Sequence, residues 1–403
     1  MTDCCIIGGG IIGLSIAREL AGRGLSVRVL ARDAARDTAS WAAAGIFPPA
    51  PPPRAAASPN ELLTAWSDRL HREWAESLRA ETGIDNRLAA CGGLHLAADA
   101  ARMERLQGEA RGWLARGAAC EILDAAGVAA CEPALSGAVA RGAIVGAMLL
   151  PEEMQIRPPR HLEALERSCA ARGVVVSKAA EVTEIDARNG RIESAVAVID
   201  GTTETVRAGS YVLAAGAWSE RLADPLGLRI ETRPIRGQIV LLRLPRQVLA
   251  RVVNRGLDYL VPREDGRLLV GSTIEDVGFD RSTTADAVER LLAVAKTLLG
   301  DLADAEVEQA WAGLRPGSAD GLPSIGRVPR LANAFVAAGH FRAGLHQSTG
   351  TAVLIADLIE GRSSPIDPGP FAPDRSPVAA SADSVDAYLA RVAAELAAPA
   401  PRI

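Results

Sequence analysis

Apolar positions along this chain follow two alternating rhythms. Cys4-Cys5-Ile6-Ile7 is a short unbroken run, so residues 4–8 read as a buried strand. Ile12, Ile16 and Leu20 then recur at helical spacing, which predicts a helix over Ile11–Arg23, and Val27–Ala31 is the next strand. Helical spacing returns at Asn60–Thr82, Ala100–Arg116, Arg160–Arg172, Ala285–Leu299 and Gly344–Glu360. Between these, Cys91–Ala97, Val174–Val176 and the alternating Glu181–Asp186 read as strands. Ser210–Trp218 is apolar throughout and ends in small residues. That is the shape of a strand whose end meets a ligand, or of a core strand closed by a turn.

From Arg233 onward the rhythm changes. Gln238–Arg243, Tyr259–Pro262 and Arg267–Ser272 are strand-like with short connections, as in an antiparallel sheet. The proline-rich stretch Phe47–Pro59 suits neither helix nor central strand and predicts a surface loop. Beyond Arg362 the chain is rich in Pro and Ala, with one amphipathic stretch, Ser384–Leu396. The expected fold is therefore α/β: a Rossmann-type domain with a parallel sheet, interleaved with an antiparallel-sheet domain. Residues 1–84, 151–228 and 311–365 are assigned to the first, 85–150 and 229–310 to the second, and 366–403 to a peripheral tail.

Composition narrows the class. The chain has 403 residues, 48% apolar but only 3% aromatic, so Ala, Leu and Val must fill the core. A net charge of −5 without a basic block argues against nucleic acid. No stretch reaches the ~20 apolar residues of a membrane span. Met1-Thr2-Asp3 runs directly into the first strand, so a cytoplasmic enzyme is expected. Six cysteines without a CxxC pair and five histidines without ligand spacing predict neither a metal site nor a disulfide framework. The thiols read as small buried hydrophobes.

Candidate chemistry begins at Gly8-Gly9-Gly10-Ile11-Ile12-Gly13, set between the first strand and the first helix. Gly8 allows a tight turn, Gly10 lets the backbone approach a pyrophosphate, and Gly13 lets helix and strand pack closely. The phosphates would rest on free N–H groups at the helix start. The acidic residue expected at the end of the second strand is absent. Ala31 stands there, followed by Arg32 and Asp33; Asp33 from two residues along, or water, would have to serve the ribose. Two further segments carry arginines, Trp311–Gly317 and Gly339–Gly344. A guanidinium makes two parallel charge-assisted bonds to a carboxylate. Arg315 is expected in a rigid irregular connection, and Arg342 at the opening of the last helix, whose N–H groups favour negative charge such as that on the N1–C2=O edge of a reduced flavin.

Together with Ser40–Ile46, Val212–Ser219, Tyr259–Arg263 and Leu269–Thr273, these segments resemble the glycine oxidase family, the thiazole-biosynthesis branch of the FAD-dependent D-amino-acid oxidase superfamily. The resemblance runs to about Arg362. Pro151–Gln155 and the form Ser40–Gly45 are similar to a bacterial subgroup described as glycine oxidase or hydrogen-cyanide-synthase-like. The resemblance implies non-covalent FAD held by Gly8, Gly10, Ile11, Ile12, Gly13, Arg32, Ser40, Ala43, Ala44, Gly45, Val182, Ala215, Gly216, Trp218, His340, Gly344 and Leu345, with Arg315 and Arg342 beside it. It implies that Arg315 and Tyr259 hold the substrate carboxylate, that Arg342 borders the same cavity, and that Ile274 and Leu257 line the substrate pocket. Ala31 replaces the family's usual Glu, and Ile274 a residue that is often Met.

The implied reaction is oxidative deamination of glycine or a similar small amino acid or amine to the imine, then glyoxylate and ammonia. O2 becomes H2O2, and the imine is available for thiazole and thiamine synthesis. No catalytic base is required if the amine arrives unprotonated. Neither lysine, Lys178 or Lys296, lies in a flavin-facing motif, which leaves Arg342 or a histidine such as His340 to supply positive charge; His340 reads equally as a satisfied structural residue. A homo-oligomer fits the family. Two other readings stand beside this one. One is a D-amino-acid, sarcosine or proline-type dehydrogenase with a non-oxygen acceptor. The other is a flavin-binding partner protein without turnover.

Overall fold

Two sheets of opposite character divide the chain in the computed structural model, which describes residues 2–32, 34–54, 57–375 and 384–397. The first has six strands in the order Ser324–Arg327, Ala334–Ala338, Ala208–Leu213, Thr2–Ile7, Val27–Leu30 and Val175–Ser177. Every pairing is parallel except the hairpin between the first two. Cys4, Cys5 and Ile6 have no exposed surface because the strand is covered on both sides, which is why its sequence is an unbroken apolar run. Helices Ile11–Gly22, Pro158–Ala171 and Ser348–Glu360 pack into one core. The antiparallel meander Ala180–Arg188, Arg191–Ile199 and Thr202–Val206 packs into another.

The second sheet has eight strands: Glu306–Ser318, Thr232–Arg243, Arg267–Gly271, Asp258–Pro262, Val252–Arg255, Gly93–Ala97, Gly146–Leu150 and Glu121–Asp124. Only Val252–Arg255 against Gly93–Ala97 is parallel. Its side chains sort by the period of two. Val240, Leu260, Leu268 and Val270 pack with helix Ala285–Leu299, whereas Ile239, Tyr259, Val261 and Leu269 form a separate cluster with Ala44. That second face looks toward the nucleotide half of the molecule, and it carries the site.

The structure differs from the sequence reading at several points. Ser210–Trp218 stops being strand at Leu213, because Gly216 takes a left-handed φ of 57° and opens a 3-10 turn over Gly216–Trp218. Trp311–Gly317 is not an irregular connection. It lies inside the long edge strand Glu306–Ser318, paired along its length with Thr232–Arg243. Pro316 faces Pro234 across that ladder; Pro316 is on the edge strand, and Pro234 lies in a part of its strand that pairs on that side alone, so both are tolerated. The assigned boundary at 311 thus falls within a strand of the antiparallel sheet. Pro59 belongs to its helix at the first position, behind a capping box of Ser58 and Glu61. The last helix of the nucleotide half starts at Ser348 rather than Gly344. Cys4, Cys5 and Cys169 are buried, and burial pushes the Cys5 and Cys169 thiols up to about 12, but Cys91, Cys120 and Cys131 are only half-buried. Helix Val385–Ala397 is not peripheral: Val385 and Tyr388 are 3% and 5% exposed.

Among the described residues no helix is long and apolar enough to cross a membrane, and no group of three or more His, Cys, Asp or Glu could hold a metal ion.

Candidate active site

A cavity of about 440 Å³ runs between the two sheets, from the glycine loop to the apolar face of the antiparallel sheet. At one end Gly8, Gly10, Ile11 and Ile12 line it. Gly8 has a φ of 124°, and a Cβ there would sit 2.2 Å from the Ala214 carbonyl oxygen. Gly13 lies beneath the loop rather than in the wall; its Cβ would meet the Gly8 carbonyl oxygen at 1.9 Å. Gly10 differs. Its nearest neighbour would be only the Ser40 hydroxyl at 3.2 Å, so the protein itself does not require a glycine here by backbone contact. The Ile11 N–H donates to Ser40 Oγ at 2.9 Å, whereas the N–H groups of Gly10 and Ile12 find no acceptor within the described protein. Free donors at a helix start beside the cavity suit a pyrophosphate.

Arg32, Val182, Ala215, Gly216 and Trp218 border the cavity near the loop, and Ser40, Ala43, Ala44 and Gly45 form its side. The Arg32 guanidinium lies 4.2 Å over the Trp218 ring, so an aromatic platform and a cation stand where the missing carboxylate would have been. Ala31 packs closely on the loop: a Cβ on Gly9 would meet the Ala31 Cβ at 2.5 Å, so position 9 must be glycine. Asp33 lies outside the described residues.

At the other end, Tyr259 and Arg315 face the cavity together. Arg315 donates to Ser272 Oγ at 2.8 Å and to the Thr273 carbonyl at 3.3 Å, and no carboxylate pairs with it among the described residues. Burial pulls the guanidinium below its ordinary value but leaves it charged, and burial pushes the Tyr259 phenol up, so both present N–H or O–H donors. Two glycines make the room. A Cβ on Gly237 would fall 2.1–2.4 Å from the Arg315 guanidinium, and one on Gly271 would fall 2.5 Å from the Tyr259 ring. Arg263 braces the wall from behind, donating to the Ala44 carbonyl at 2.8 Å and Gln155 Oε1 at 2.7 Å. Ser272, Gly237 and Gly271 escaped the sequence reading because their role is to shape the space around two larger side chains.

His340, Arg342, Gly344 and Leu345 close the cavity, joined by Phe341 and His346. The N–H groups of Gly344, Leu345 and His346 have no acceptor within the described protein, and they precede helix Ser348–Glu360. This edge favours negative charge, as expected of the helix opening, although the helix itself begins four residues later. His340 cannot supply charge. Its Nε2 is engaged with Thr351 Oγ1 at 3.0 Å, and burial holds its value down to about 3. Leu257, in a hairpin turn, and Ile274 do not border the cavity; both are half-buried.

Buried neutral histidines carry a pH consequence. His161, bonded to Asn86, is also held near 3 by burial. An unfolded chain protonates such groups below about pH 6.5, whereas the folded chain does not until about pH 3. Their stabilising effect is complete above pH 6.5 and declines as the pH falls through that window. The melting temperature should drop accordingly, and His161→Gln should flatten the slope. Identical slopes for the two proteins would contradict a neutral buried His161.

A parallel nucleotide sheet, a glycine cradle and a paired arginine–tyrosine wall define a flavin-type oxidoreductase. Residues 3–358 match the family of FAD dependent oxidoreductases, and the chain belongs to it. It is 35% identical over 379 residues to the glycine oxidase of Geobacillus kaustophilus, covering 92% of this chain and 96% of that protein. The crystal structure of glycine oxidase from Geobacillus kaustophilus superposes with a TM-score of 0.84 at 34% identity, covering 93% of this chain and 98% of the other. A bifunctional ThiO/ThiG protein of Synechocystis is 34% identical over 365 residues, covering 89% of this chain and 51% of that protein. FAD is therefore the cofactor, and the cradle and free N–H groups described above fit it.

Proposed function

We propose that the protein oxidises glycine or a similar small amino acid or amine to its imine, which water converts to glyoxylate and ammonia, with O2 reduced to H2O2. The observation that carries this reading is Arg315: a half-buried cation without a carboxylate partner among the described residues, fixed by Ser272 and Thr273 at the cavity wall. Its fork takes the substrate carboxylate, and the protonated Tyr259 donates a further hydrogen bond. Anchoring one end of so small a molecule orients its Cα, and positioning of this kind supplies much of the rate. Bound FAD supplies the hydride acceptor. His340 is engaged by Thr351 and offers no base, so on this reading the amine must enter already deprotonated; its lone pair forms the C=N bond as hydride leaves Cα, and an N–H proton is then released to give the neutral imine. The imine also suits thiazole synthesis, the fate that the resemblance implies.

Anaerobic mixing with glycine, sarcosine and small D-amino acids should bleach the flavin's visible band, and admitting air should restore it with one H2O2 per turnover. A flavin that no such compound bleaches would remove the proposal. Bleaching without H2O2 would mean another acceptor.

Gly237→Ala probes the carboxylate clamp without touching it. The added methyl meets the far end of a flexible side chain, so the protein should fold and bind FAD normally while the Arg315 head is displaced. A misplacement near 1 Å costs on the order of a hundredfold in kcat/KM. Wild-type kinetics in this variant would argue against Arg315 as the clamp.

A further inference from the structure

The matched family span ends at residue 358, yet the chain returns to the site after it. Helix Val385–Ala397 buries Val385, Tyr388 and Val392 along one face. Val385 seats against Gly317, where an added Cβ would lie 2.8 Å from Val385 Cγ2, so the absence of a side chain at 317 admits the helix. Asp386 is tied to Arg233 at 2.8 Å. Tyr388 meets the loop that closes the cavity. Its ring is edge-on to Phe341, with centroids 5.3 Å apart, and the Arg342 guanidinium sits 4.7 Å over its face. Arg391 lies 5.2 Å from the same ring.

We propose that this C-terminal helix is a working part of the substrate site and that Tyr388 is a positioning residue whose ring holds the Arg342 guanidinium at the cavity wall. The proposal rests on the carboxylate-binding reading of that cavity. Arg342 has no carboxylate partner among the described residues; the aromatic face is what fixes it. A ring face attracts a guanidinium without neutralising it, so Arg342 keeps its full charge for an anionic ligand. A glutamate in the same place would hold the arginine as well but would cancel the charge that attracts the substrate. The helix therefore holds a second cation, Arg342 of the closing loop, at the wall of a site whose first cation, Arg315, stands on the antiparallel sheet.

Two apolar substitutions probe the ring's π face. Tyr388→Phe keeps the face and should hold KM for the bleaching substrate within about twofold of wild type. Tyr388→Leu keeps an apolar side chain, though a smaller one, but loses the face, and should raise KM about three- to thirtyfold. Its kcat should move less than its KM, and its FAD content should be unchanged. The affinity for acetate, read as a perturbation of the oxidised flavin spectrum, should weaken by a similar factor, because acetate offers only the carboxylate. Equal KM and acetate affinity in the Phe and Leu variants would overturn the proposal, whether both match wild type or both are impaired. Failure of the underlying reading looks different: the wild-type flavin itself would neither bleach with small amino acids nor respond to acetate.

Discussion

Arg315→Ala is expected to lower kcat/KM by about two to four orders of magnitude, chiefly through KM. Truncating one partner of a desolvated ion pair costs roughly 2–5 kcal/mol, and the partner here is the incoming carboxylate. The cost is at the high end of what a surface arginine could show because Arg315 is held on two sides, by Ser272 Oγ and the Thr273 carbonyl, before any ligand arrives. No reorganisation is left for the moment of binding. FAD content should stay near wild type, since the donors assigned to the phosphates lie on the glycine loop. Steady-state kinetics on FAD-replete protein check this, and an unchanged KM would reject the assignment.

The glycine loop predicts the second large effect, and two neighbouring glycines should fail in different ways. Gly13→Ala forces a Cβ to within 1.9 Å of the Gly8 carbonyl oxygen and 3.3 Å of Ile6 Cγ2, so the helix must back away from the strand. Overpacking of this kind costs about 1–3 kcal/mol, and the melting temperature of the apoprotein should fall with FAD affinity. Gly10→Ala meets only the Ser40 hydroxyl, at 3.2 Å. Its apoprotein should melt as wild type does, while its methyl occupies the approach to the N–H groups of Gly10 and Ile12. Loss of FAD affinity by about a hundredfold would correspond to about 2.7 kcal/mol. Wild-type FAD affinity in Gly10→Ala would mean that the phosphates lie elsewhere.

These two sites show what could be read from the chain and what could not. The opening strand, helix and strand were legible because Cys4–Ile7 is buried on both faces and Ile12, Ile16 and Leu20 share one helical stripe, so local pattern and global burial agree. Arg315 and Tyr259 were legible through the motifs around them. Their surroundings were not. Gly237 and Gly271 matter only because strand register sets them beside a guanidinium and a phenol from other strands, and register is a long-range property. The strand status of Trp311–Gly317 was hidden for the same reason. Glycine and proline read locally as a connection, yet twelve paired positions along Thr232–Arg243 hold the segment extended. The sequence leaves His340 open between a charge donor and a structural residue, and only its burial and its bond to Thr351 decide for the second. The C-terminal helix reads as a tail in the sequence because its amphipathic stripe does not say which surface it covers.

A crystal structure of the FAD-bound protein with glycolate, the hydroxyl analogue of glycine, tests the central claim most directly. The account predicts the glycolate carboxylate within hydrogen-bonding distance of both the Arg315 guanidinium and the Tyr259 hydroxyl, in the cavity that also holds the flavin ring. A carboxylate bound away from Arg315, or an Arg315 head turned from the flavin toward solvent, would contradict it.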